Sequence, residues 1–421
     1  MSRPDRALRA GSGAVAQRGS TAAIKPSGTE GHPLNKNDLR PAEQAPHRGK
    51  FIYLASPLGT IGGGMFKVAD YLIQAQAATQ PAGSAQLCAL DTRGQGSALG
   101  SMAVLATALA RIVAGRFSGR LAGVHVNMAE RLSVFRKGVL IACCRLLGVP
   151  VVLHLHAAQL PQFYSTIPAP FRAASRWVFS LASTVIVLGD TARRFVIDEL
   201  RVPPDKVELV FNGVPSPPMS ATAEQTSVIP ADRHRQILFL GNLSERKGVS
   251  DLLDALALPG LDRQRLSVTL AGGGELPRYQ AKAQALGLEK TVRFTGWCGQ
   301  AQVAELMAQA DLLVLPSYDE GLPLVILEAL AAKVAVVCTP VGEIGSVLTH
   351  GFHGWLVQPG DVPGLAAGLQ RVLDEPGLSE RMVHNGRALY EQKFSMSQFF
   401  AHIAQIHQRD FGVSAAAEGQ T

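Results

Sequence analysis

The sequence predicts an α/β protein with two doubly wound parallel sheets, each in its own domain. Short apolar segments alternate with segments of helical period from Phe51 onward, which is typical of parallel strands joined by helices. The alternation is interrupted over residues 212–235, where Pro, Ser and Thr are concentrated. At 421 residues, of which 47% are apolar, the chain is long enough to form two cores.

Composition and periodicity divide the chain further. The first residues are rich in Gly, Ala, Pro and Ser and show no apolar period, which predicts a disordered tail. The last segment has four large apolar residues on one helical face, namely Phe399, Phe400, Ile403 and Ile406. The predicted tail is residues 1–49, and the first domain is residues 50–215. The linker, residues 216–235, leads to the second domain, residues 236–392. The terminal helix is residues 393–412.

The first domain opens with a strand and a glycine-rich turn. Its predicted strands are Phe51–Ala55, Ala85–Leu90, Gly123–Asn127, Val151–His156, Thr184–Leu188 and Val207–Phe211. Gly62, Gly63 and Gly64 follow the first strand, and residues without a Cβ let backbone N–H groups approach a phosphate or a sugar. A plain tight turn is the alternative.

Two histidines end the fourth predicted strand. His154 and His156 are two residues apart, so strand geometry places both on one face of the sheet. The carboxyl ends of the strands of two facing sheets meet at one cleft, where ligands bind. His156 is therefore a candidate ligand contact, and a core or capping histidine is the alternative. A metal site is not expected here, because no carboxylate lies nearby in the sequence.

A basic turn follows the first strand of the second domain. The strands predicted in this domain are Gln236–Gly241, Ser267–Ala271, Thr291–Thr295, Asp311–Leu315 and Ala335–Cys338. Arg246 and Lys247 lie between the first of them and a helix, where ligands of such sheets bind, and two adjacent cations there would favour an anion. No glycine precedes Lys247, so the turn is not a Walker A loop. An ordinary solvated turn is the alternative.

The stretch Ser317–Leu330, SYDEGLPLVILEAL, joins a strand to a helix in the second domain. Pro323 suits the first helical position, and the free N–H groups and positive dipole end of that helix favour an anion. Glu320 precedes the helix and Glu328 lies within it, roughly 10 Å away. Carboxylates accept hydrogen bonds from ring hydroxyls, which predicts a site for a diphosphate between two sugars. Two solvated surface acids are the alternative.

This stretch resembles a motif of a known enzyme family. Residues 320–328, EGLPLVILE, are similar to the E-x7-E element of the retaining glycosyltransferases of family 4, which have the GT-B fold. The resemblance is strong over residues 239–357 and weaker over residues 51–211. It implies two Rossmann-like domains that face a central cleft, and a terminal helix that returns to the first domain.

The resemblance also implies roles for individual residues of the acidic stretch. Glu320 would contact the donor sugar, and Glu328 would bind the ribose of the nucleotide. Gly321 and Leu322 would contribute backbone contacts to the donor, although many relatives have Phe where this chain has Leu322.

Further roles follow for the basic turn and the first domain. Lys247 matches the family lysine that clamps the donor diphosphate. Arg246 stands in for a family arginine, because Asn242 occupies that arginine's usual position. His156 matches a histidine near the donor sugar, and the glycine turn matches a loop that contacts donor or acceptor. We therefore expect Glu320, His156 and Lys247 to be the catalytic residues.

The expected activity is the transfer of a hexose from a nucleotide sugar, such as a UDP- or GDP-sugar, with retention of configuration. Retention is implied by the resemblance alone. No DxD-like motif lies in a suitable strand–loop context, so we expect no metal and no other cofactor. A sugar-nucleotide epimerase on the same fold and a non-catalytic nucleotide-sugar-binding subunit are the alternatives.

The acceptor side of the chain is basic. Residues 111–145 contain seven basic residues and one acid, Glu130. The segment SVFRKG resembles bacterial polysaccharide-assembly transferases, which implies a glycan or polyprenyl-diphosphate-linked acceptor and a role in exopolysaccharide or cell-envelope synthesis. An anionic membrane surface is the expected further partner, and nucleic acid is not expected. A merely solvated basic face is the alternative.

Targeting signals and cysteine usage predict the location. The sequence has no uninterrupted apolar run of about 18 residues and no apolar core of a signal peptide. Its five cysteines are scattered without zinc-like spacing, which favours a reducing compartment. We expect a cytoplasmic protein that is peripheral at the inner face of the cytoplasmic membrane.

Overall fold

The computed structural model describes residues 49–58, 63–79, 84–94, 98–129, 132–157, 159–217 and 234–413. Two predicted features lie partly outside these stretches. They are the N-terminal tail, nearly all of it, and the glycine turn, of which Gly62 is not described. Most of the predicted linker also falls outside them, and its last residue, Arg235, belongs to a strand.

The first half of the described chain forms a six-stranded parallel sheet. Its strands are β1 (Phe51–Ser56), β2 (Gln86–Asp91), β3 (Leu121–Met128), β4 (Val151–Leu155), β5 (Thr184–Val187) and β6 (Val207–Leu209). Its helices are α1 (Gly64–Thr79), α2 (Ala98–Phe117), α3 (Leu132–Leu146), α4 (Leu160–Thr166), α5 (Ala169–Ser180) and α6 (Asp190–Asp198). The strand order is β2-β1-β3-β4-β5-β6.

The second half repeats this architecture. Its strands are β7 (Arg235–Leu240), β8 (Leu266–Ala271), β9 (Val292–Gly296), β10 (Leu312–Leu315), β11 (Ala335–Cys338) and β12 (Trp355–Leu356), in the order β12-β11-β10-β7-β8-β9. Its helices are α7 (Val249–Ala257), α8 (Leu276–Ala285), α9 (Gln300–Gln309), α10 (Leu324–Ala331), α11 (Ile344–Val347), α12 (Val362–Asp374) and α13 (Leu378–Leu389). The last described helix is α14 (Met396–Phe411).

The predicted fold class is confirmed by these two sheets. The predicted strands agree with observed ones because fully buried parallel strands appear in a sequence as short apolar runs. The prediction missed β12, which has two residues and is too short to show a pattern.

Helices cover both faces of the first sheet. The connection from β1 to β2 runs along the sheet in the direction opposite to the later connections, so right-handed crossovers place α1 on one face and α2 to α6 on the other. On the latter face Ile112, Leu140 and Phe179 pack in one core with the strand residue Val126.

The face that carries α1 is completed by α14, from the far end of the chain. The Phe411 ring packs against β3, where a Cβ on Gly123 would lie 2.4 Å from a ring carbon. Glycine is therefore needed at that strand position for the ring to reach the sheet. His407, also on α14, is fully buried against His125 of β3.

The chain passes between the two halves twice, and the two passages lie side by side. Val214 and Ser395 pair as neighbouring extended residues. The Val214 N–H donates to the Phe394 carbonyl at 3.0 Å, and the Tyr390 hydroxyl donates to the Val214 carbonyl at 3.0 Å. The second passage contains a π-helical turn, Tyr390–Phe394.

One sequence expectation about membranes is corrected by α2. The segment Gly100–Phe117 of this helix is long and apolar enough to cross a membrane, by length and composition only. Arg111 interrupts the apolar run in the sequence but does not end the helix. Ala108 and Ile112 on its inner side are buried against the first sheet, so in this fold α2 lies along the sheet.

Four histidines connect α14 to the end of β4, three of them buried and one, His156, half-buried. His125 Nδ1 lies 2.9 Å from His407 Nε2, and His125 Nε2 lies 3.3 Å from His154 Nδ1. The rings of His154 and His156 are 4.0 Å apart, on the same face as the alternation predicts. Burial lowers the pKa of all four imidazoles, to about 3 for His125 and His156. The cluster is therefore neutral at neutral pH.

We predict that acid destabilises the protein through this cluster. Below about pH 6.5 the unfolded chain binds protons that the buried imidazoles exclude, so stability that is complete above this pH is lost as pH falls towards 3. Each buried imidazole adds up to about 1.4 kcal/mol per pH unit to the slope of the unfolding free energy against pH. Urea unfolding at several pH values in this window measures the slope.

A matched pair of variants isolates the contribution of the cluster. His407→Gln should reduce the slope of unfolding free energy against pH by about 1.4 kcal/mol per unit, because one buried imidazole is removed. His384→Gln changes an exposed histidine and should leave the slope as it is. Equal slopes in both variants would contradict the prediction.

Candidate functional site

The start of α10 lies opposite the glycine turn of the first half. The helix begins at Leu324 and Pro323 is its N-cap, so the prediction that Pro323 is the first helical residue is wrong by one position. A Cβ added to Gly64 would lie 3.6 Å from Leu324 Cδ1, whereas no atom of the described residues, chain neighbours apart, lies within 4 Å of the Cβ position of Gly63. The beginnings of α1 and α10 therefore meet.

Glu320 lies before α10 as a buried, ion-paired carboxylate. Its Oε1 accepts hydrogen bonds from Lys247 Nζ and, at 2.8 Å, from Ser317 Oγ. Arg246 NH1 lies 4.0 Å from Oε2. Glu320 is 8% exposed, and a charge buried to this degree is stable only when it is paired. Three predicted site residues, Glu320, Lys247 and Arg246, thus meet at one point.

Arg246 also holds the backbone of the acidic turn. Its NH1 donates to the Asp319 carbonyl at 2.5 Å, and its own carbonyl accepts the Tyr318 N–H at 2.8 Å. The side chain is 45% exposed, so the guanidinium remains accessible to a ligand.

Two glycines allow neighbouring loops to pack against this turn. Gly248 has a φ of +67°, and a Cβ there would lie 1.9 Å from the Pro316 carbonyl oxygen. Gly342 has a φ of +59°, and a Cβ there would lie 1.9 Å from the Glu320 carbonyl oxygen. Both positions exclude a side chain by contact as well as by conformation.

Gly321 and Leu322 connect the acidic turn to α10. The Gly321 carbonyl accepts the Glu343 N–H at 3.1 Å, and the Leu322 side chain is buried. Leu322 therefore fills an apolar position, which is consistent with Phe in many relatives. The structure shows no side-chain ligand group at either residue, so a donor contact there would use the backbone.

Glu328 makes its contacts across the cleft. Its Oε1 accepts hydrogen bonds from Lys67 Nζ at 2.8 Å and from Tyr71 OH at 2.9 Å, both on α1 of the first half. Its Oε2 is buried and has no hydrogen-bond partner among the residues that the structure describes. Sequence reasoning missed Lys67 and Tyr71. Their i, i+4 spacing just after the glycine turn is the signal that places them on one helix face.

Two more contacts join the halves beside this one. Gln159 Nε2, three residues after His156, donates to Asp319 Oδ2 beside Glu320. Glu343 Oε1 accepts the Thr191 N–H at 3.1 Å in the first turn of α6. A Cβ on Gly189 would lie 2.0 Å from the Glu343 carboxyl carbon, so glycine makes room for this side chain.

His156 lies directly after β4, in the first half. One ring nitrogen, Nε2, lies 3.2 Å from Asn127 Oδ1. Burial, followed by the neighbouring His125 and Lys137, lowers the pKa of His156 to about 3. The imidazole is thus neutral at pH 7 and offers one donor and one acceptor. No hydrogen bond among the described residues joins it directly to Glu320 or Lys247.

Lys137 is a member of the predicted basic patch that does not lie on the surface, whereas Arg111, Arg116 and Arg145 are exposed. Lys137 is fully buried, and its Nζ donates to the Asn127 carbonyl. Burial and then the nearby Arg136 lower the pKa of Lys137 to about 7. Its charge therefore faces the interior beside Asn127 and His156, because the sequence pattern that suggested a patch carries no information about which helix face a lysine takes.

The described residues contain no group of three or more His, Cys, Asp or Glu side chains that could hold a metal ion. The five cysteines are all free.

Two family models match this chain. The model described as "Glycosyl transferases group 1" matches residues 222–389, and the model described as "Glycosyltransferase Family 4" matches residues 124–216. The first match contains the Glu320 cluster and Glu328, and the second contains His156.

Characterised relatives and a solved structure are similar to the chain. The alpha-D-kanosaminyltransferase of Streptomyces kanamyceticus is 27% identical over 64% of this chain and 72% of its own length. The amylovoran biosynthesis glycosyltransferase AmsK of Erwinia amylovora is 24% identical over 70% of this chain and 68% of its own length. The structure of Anabaena Alr3699/HepE with UDP and glucose superposes with a TM-score of 0.65 over 86% of this chain and all of that one, at 19% identity.

Substitution of Gly342 tests the close packing around Glu320. Gly342→Ala should displace the Glu320 carbonyl and lower the free energy of unfolding by more than about 2 kcal/mol. Gly351→Ala is the matched control, because its φ is +71° but nothing in the described part of the chain lies within 4 Å of its Cβ position. It should cost about 1 kcal/mol from conformational strain alone. Urea unfolding measures both variants, and equal losses in the two would show that the contact is unimportant.

Proposed function

Because the chain belongs to the family 4 glycosyltransferases, which have the GT-B fold, we propose that it moves a hexose from a nucleotide sugar to a glycan with retention of configuration. The observation that carries the proposal is the cluster of Glu320, Lys247 and Arg246 at the beginning of α10. Its residues follow β7 and β10, which are neighbours in the sheet, at the carboxyl edge where ligands of parallel sheets bind.

In this proposal the donor diphosphate replaces part of the internal ion pairing. Lys247 and Arg246 bind the phosphates, together with the first N–H groups of α10, and stabilise the charge that develops when the nucleoside diphosphate leaves. Glu320, released from Lys247, then accepts hydrogen bonds from hydroxyls of the transferred sugar. Neutral His156 contacts the same sugar from the first half.

Glu328 binds the nucleotide ribose in this scheme. Its unpaired Oε2 is the acceptor available for a ribose hydroxyl, while Lys67 and Tyr71 fix the carboxylate through Oε1. The carboxylate that binds the ribose would thus be held by side chains of both halves. Closure of the halves around the donor excludes water, which limits hydrolysis.

The relatives support the substrate classes. One is named a kanosaminyltransferase, another acts in amylovoran biosynthesis, and the HepE structure contains UDP and glucose. We propose a UDP- or GDP-sugar donor, a glycan or polyprenyl-diphosphate-linked acceptor, and a role in exopolysaccharide or cell-envelope synthesis at the cytoplasmic face of the membrane. Lys247 and Arg246 supply the phosphate charge compensation, so the reaction requires no metal.

Removal of either charge of the Glu320–Lys247 pair should strongly reduce transfer by the folded protein. Glu320→Gln and Lys247→Met should each lower kcat/KM at least about 100-fold, because each removes a group that stabilises the reacting donor. The control replaces both members of a partly exposed ion pair in the second half. These are Lys282 and Asp254, whose charged atoms are 2.7 Å apart. Lys282→Met with Asp254→Asn should change kcat/KM less than about twofold. Wild-type turnover by both site variants would show that the site lies elsewhere.

The donor and the stereochemistry need separate measurements. In a panel of nucleoside diphosphates and their sugars, the true donor should raise the melting temperature of the protein, because a ligand that binds the folded state stabilises that state. NMR of the product formed from that donor should show the anomeric configuration of the donor. Isomer exchange of the donor without an acceptor would indicate an epimerase, and binding without any turnover would indicate a non-catalytic subunit.

A further inference from the structure

The outer surface of α2 is unusually apolar for a solvent-facing helix. Its exposed stripe consists of one methionine, three alanines and one phenylalanine, namely Met102, Ala106, Ala110, Ala114 and Phe117. Phe117 is 80% exposed. Surface helices of globular proteins normally place charged residues on this side, so the stripe requires a reason.

The neighbouring helices α3 and α5 continue the same surface. Val139 and Leu146 of α3 are exposed, Leu146 to 88%, and Phe171 and Trp177 of α5 are exposed as well. Six of the nine large hydrophobic side chains that are exposed in the described residues lie on these three helices. The surface is therefore a concentration of apolar groups, and we refer to the outer sides of α2, α3 and α5 as the apolar face.

The three helices form one continuous layer. The Phe171 ring of α5 lies 5.6 Å from the Phe135 ring of α3, edge to face. Arg116 Nε at the end of α2 donates to the Leu147 carbonyl at the end of α3, at 2.9 Å. The inner sides of all three helices pack on the same face of the first sheet. Their outer sides consequently belong to one surface.

The charge of this region has one sign. Between Asp91 and Asp190 the sequence contains ten basic residues and a single acid, Glu130. The helices α2, α3 and α5 contain no Asp or Glu at all. Arg111, Arg145 and Arg176 are exposed beside the apolar stripes. Apolar side chains flanked by arginines, without carboxylates, are the composition of helices that lie in a lipid headgroup region.

We propose that the apolar face docks on an anionic phospholipid bilayer, with α2, α3 and α5 lying in the plane of the interface. Exposed Phe117, Leu146 and Trp177 enter the acyl boundary, and the arginines contact lipid phosphates. A second copy of the chain is disfavoured as the occupant, because a two-fold contact would oppose arginines to arginines with no acid on either side. The inference rests on the proposed function, since it brings the first half to a membrane-borne acceptor.

Vesicle flotation of the full chain tests this surface. The wild type should bind vesicles of phosphatidylcholine and phosphatidylglycerol in equal parts more tightly than vesicles of phosphatidylcholine alone, and added salt should weaken the binding. Phe117→Glu with Leu146→Glu should weaken it at least about tenfold, because two apolar anchors become anions. Phe352→Glu, which changes an exposed aromatic side chain in the second half, should leave it unchanged.

The results also separate the surface from the reaction. Equal binding of the double variant, or no binding of the wild type to either vesicle, overturns the inference. So does a wild-type dimer in solution that the double variant converts to a monomer, because the face would then join two copies. A double variant that loses vesicle binding but keeps its nucleotide-induced thermal shift supports the inference. Vesicle binding by a protein that transfers no sugar leaves the docking surface intact and refutes the proposed function.

Discussion

The buried pair of Glu320 and Lys247 is the interaction on which the organisation of the second half depends. A carboxylate this deeply buried would be strongly unfavourable without its partner, so the loops that supply the two residues must be held together before any ligand arrives. Gly248 and Gly342 allow that approach, since each presses its backbone against a carbonyl of the turn that carries Glu320. The site is therefore assembled by close backbone packing, and its charges already neutralise one another in the absence of a donor.

Three hydrogen bonds across the cleft share one chemical pattern. Carboxylates of the second half, on Glu328, Asp319 and Glu343, accept hydrogen bonds from donors of the first half. These donors are the Lys67 ammonium, the Gln159 amide and the Thr191 N–H. Charge-assisted hydrogen bonds of this kind are directional and exchange readily with water or ligand hydroxyls. The cleft is thus closed by groups that a sugar or a ribose can also satisfy.

Local sequence patterns predicted what depends on neighbouring residues. Buried parallel strands gave apolar runs, and the loops after them, with Lys247 and Glu320, followed from the rule that strand ends meet at one edge. The pairing of Glu328 with Lys67 joins residues 261 positions apart and leaves no local pattern. Burial of Lys137 was also invisible, because the helix face it takes depends on the sheet beneath α3. Arg111 interrupts the apolar run in the sequence of α2, whereas the helix itself continues to Phe117.

The packing of α14 on the first sheet has a consequence for how the protein is made. Residues near position 407 cover strands that were synthesised some 280 residues earlier, and the histidine contact between α14 and β3 spans this separation. On the ribosome, one face of the first sheet is therefore covered only in part, by α1, while the entire second half is being translated. Contacts so distant in sequence form slowly, and the uncovered strands are exposed to aggregation until α14 emerges. Chaperone protection of the nascent chain would matter most during that interval.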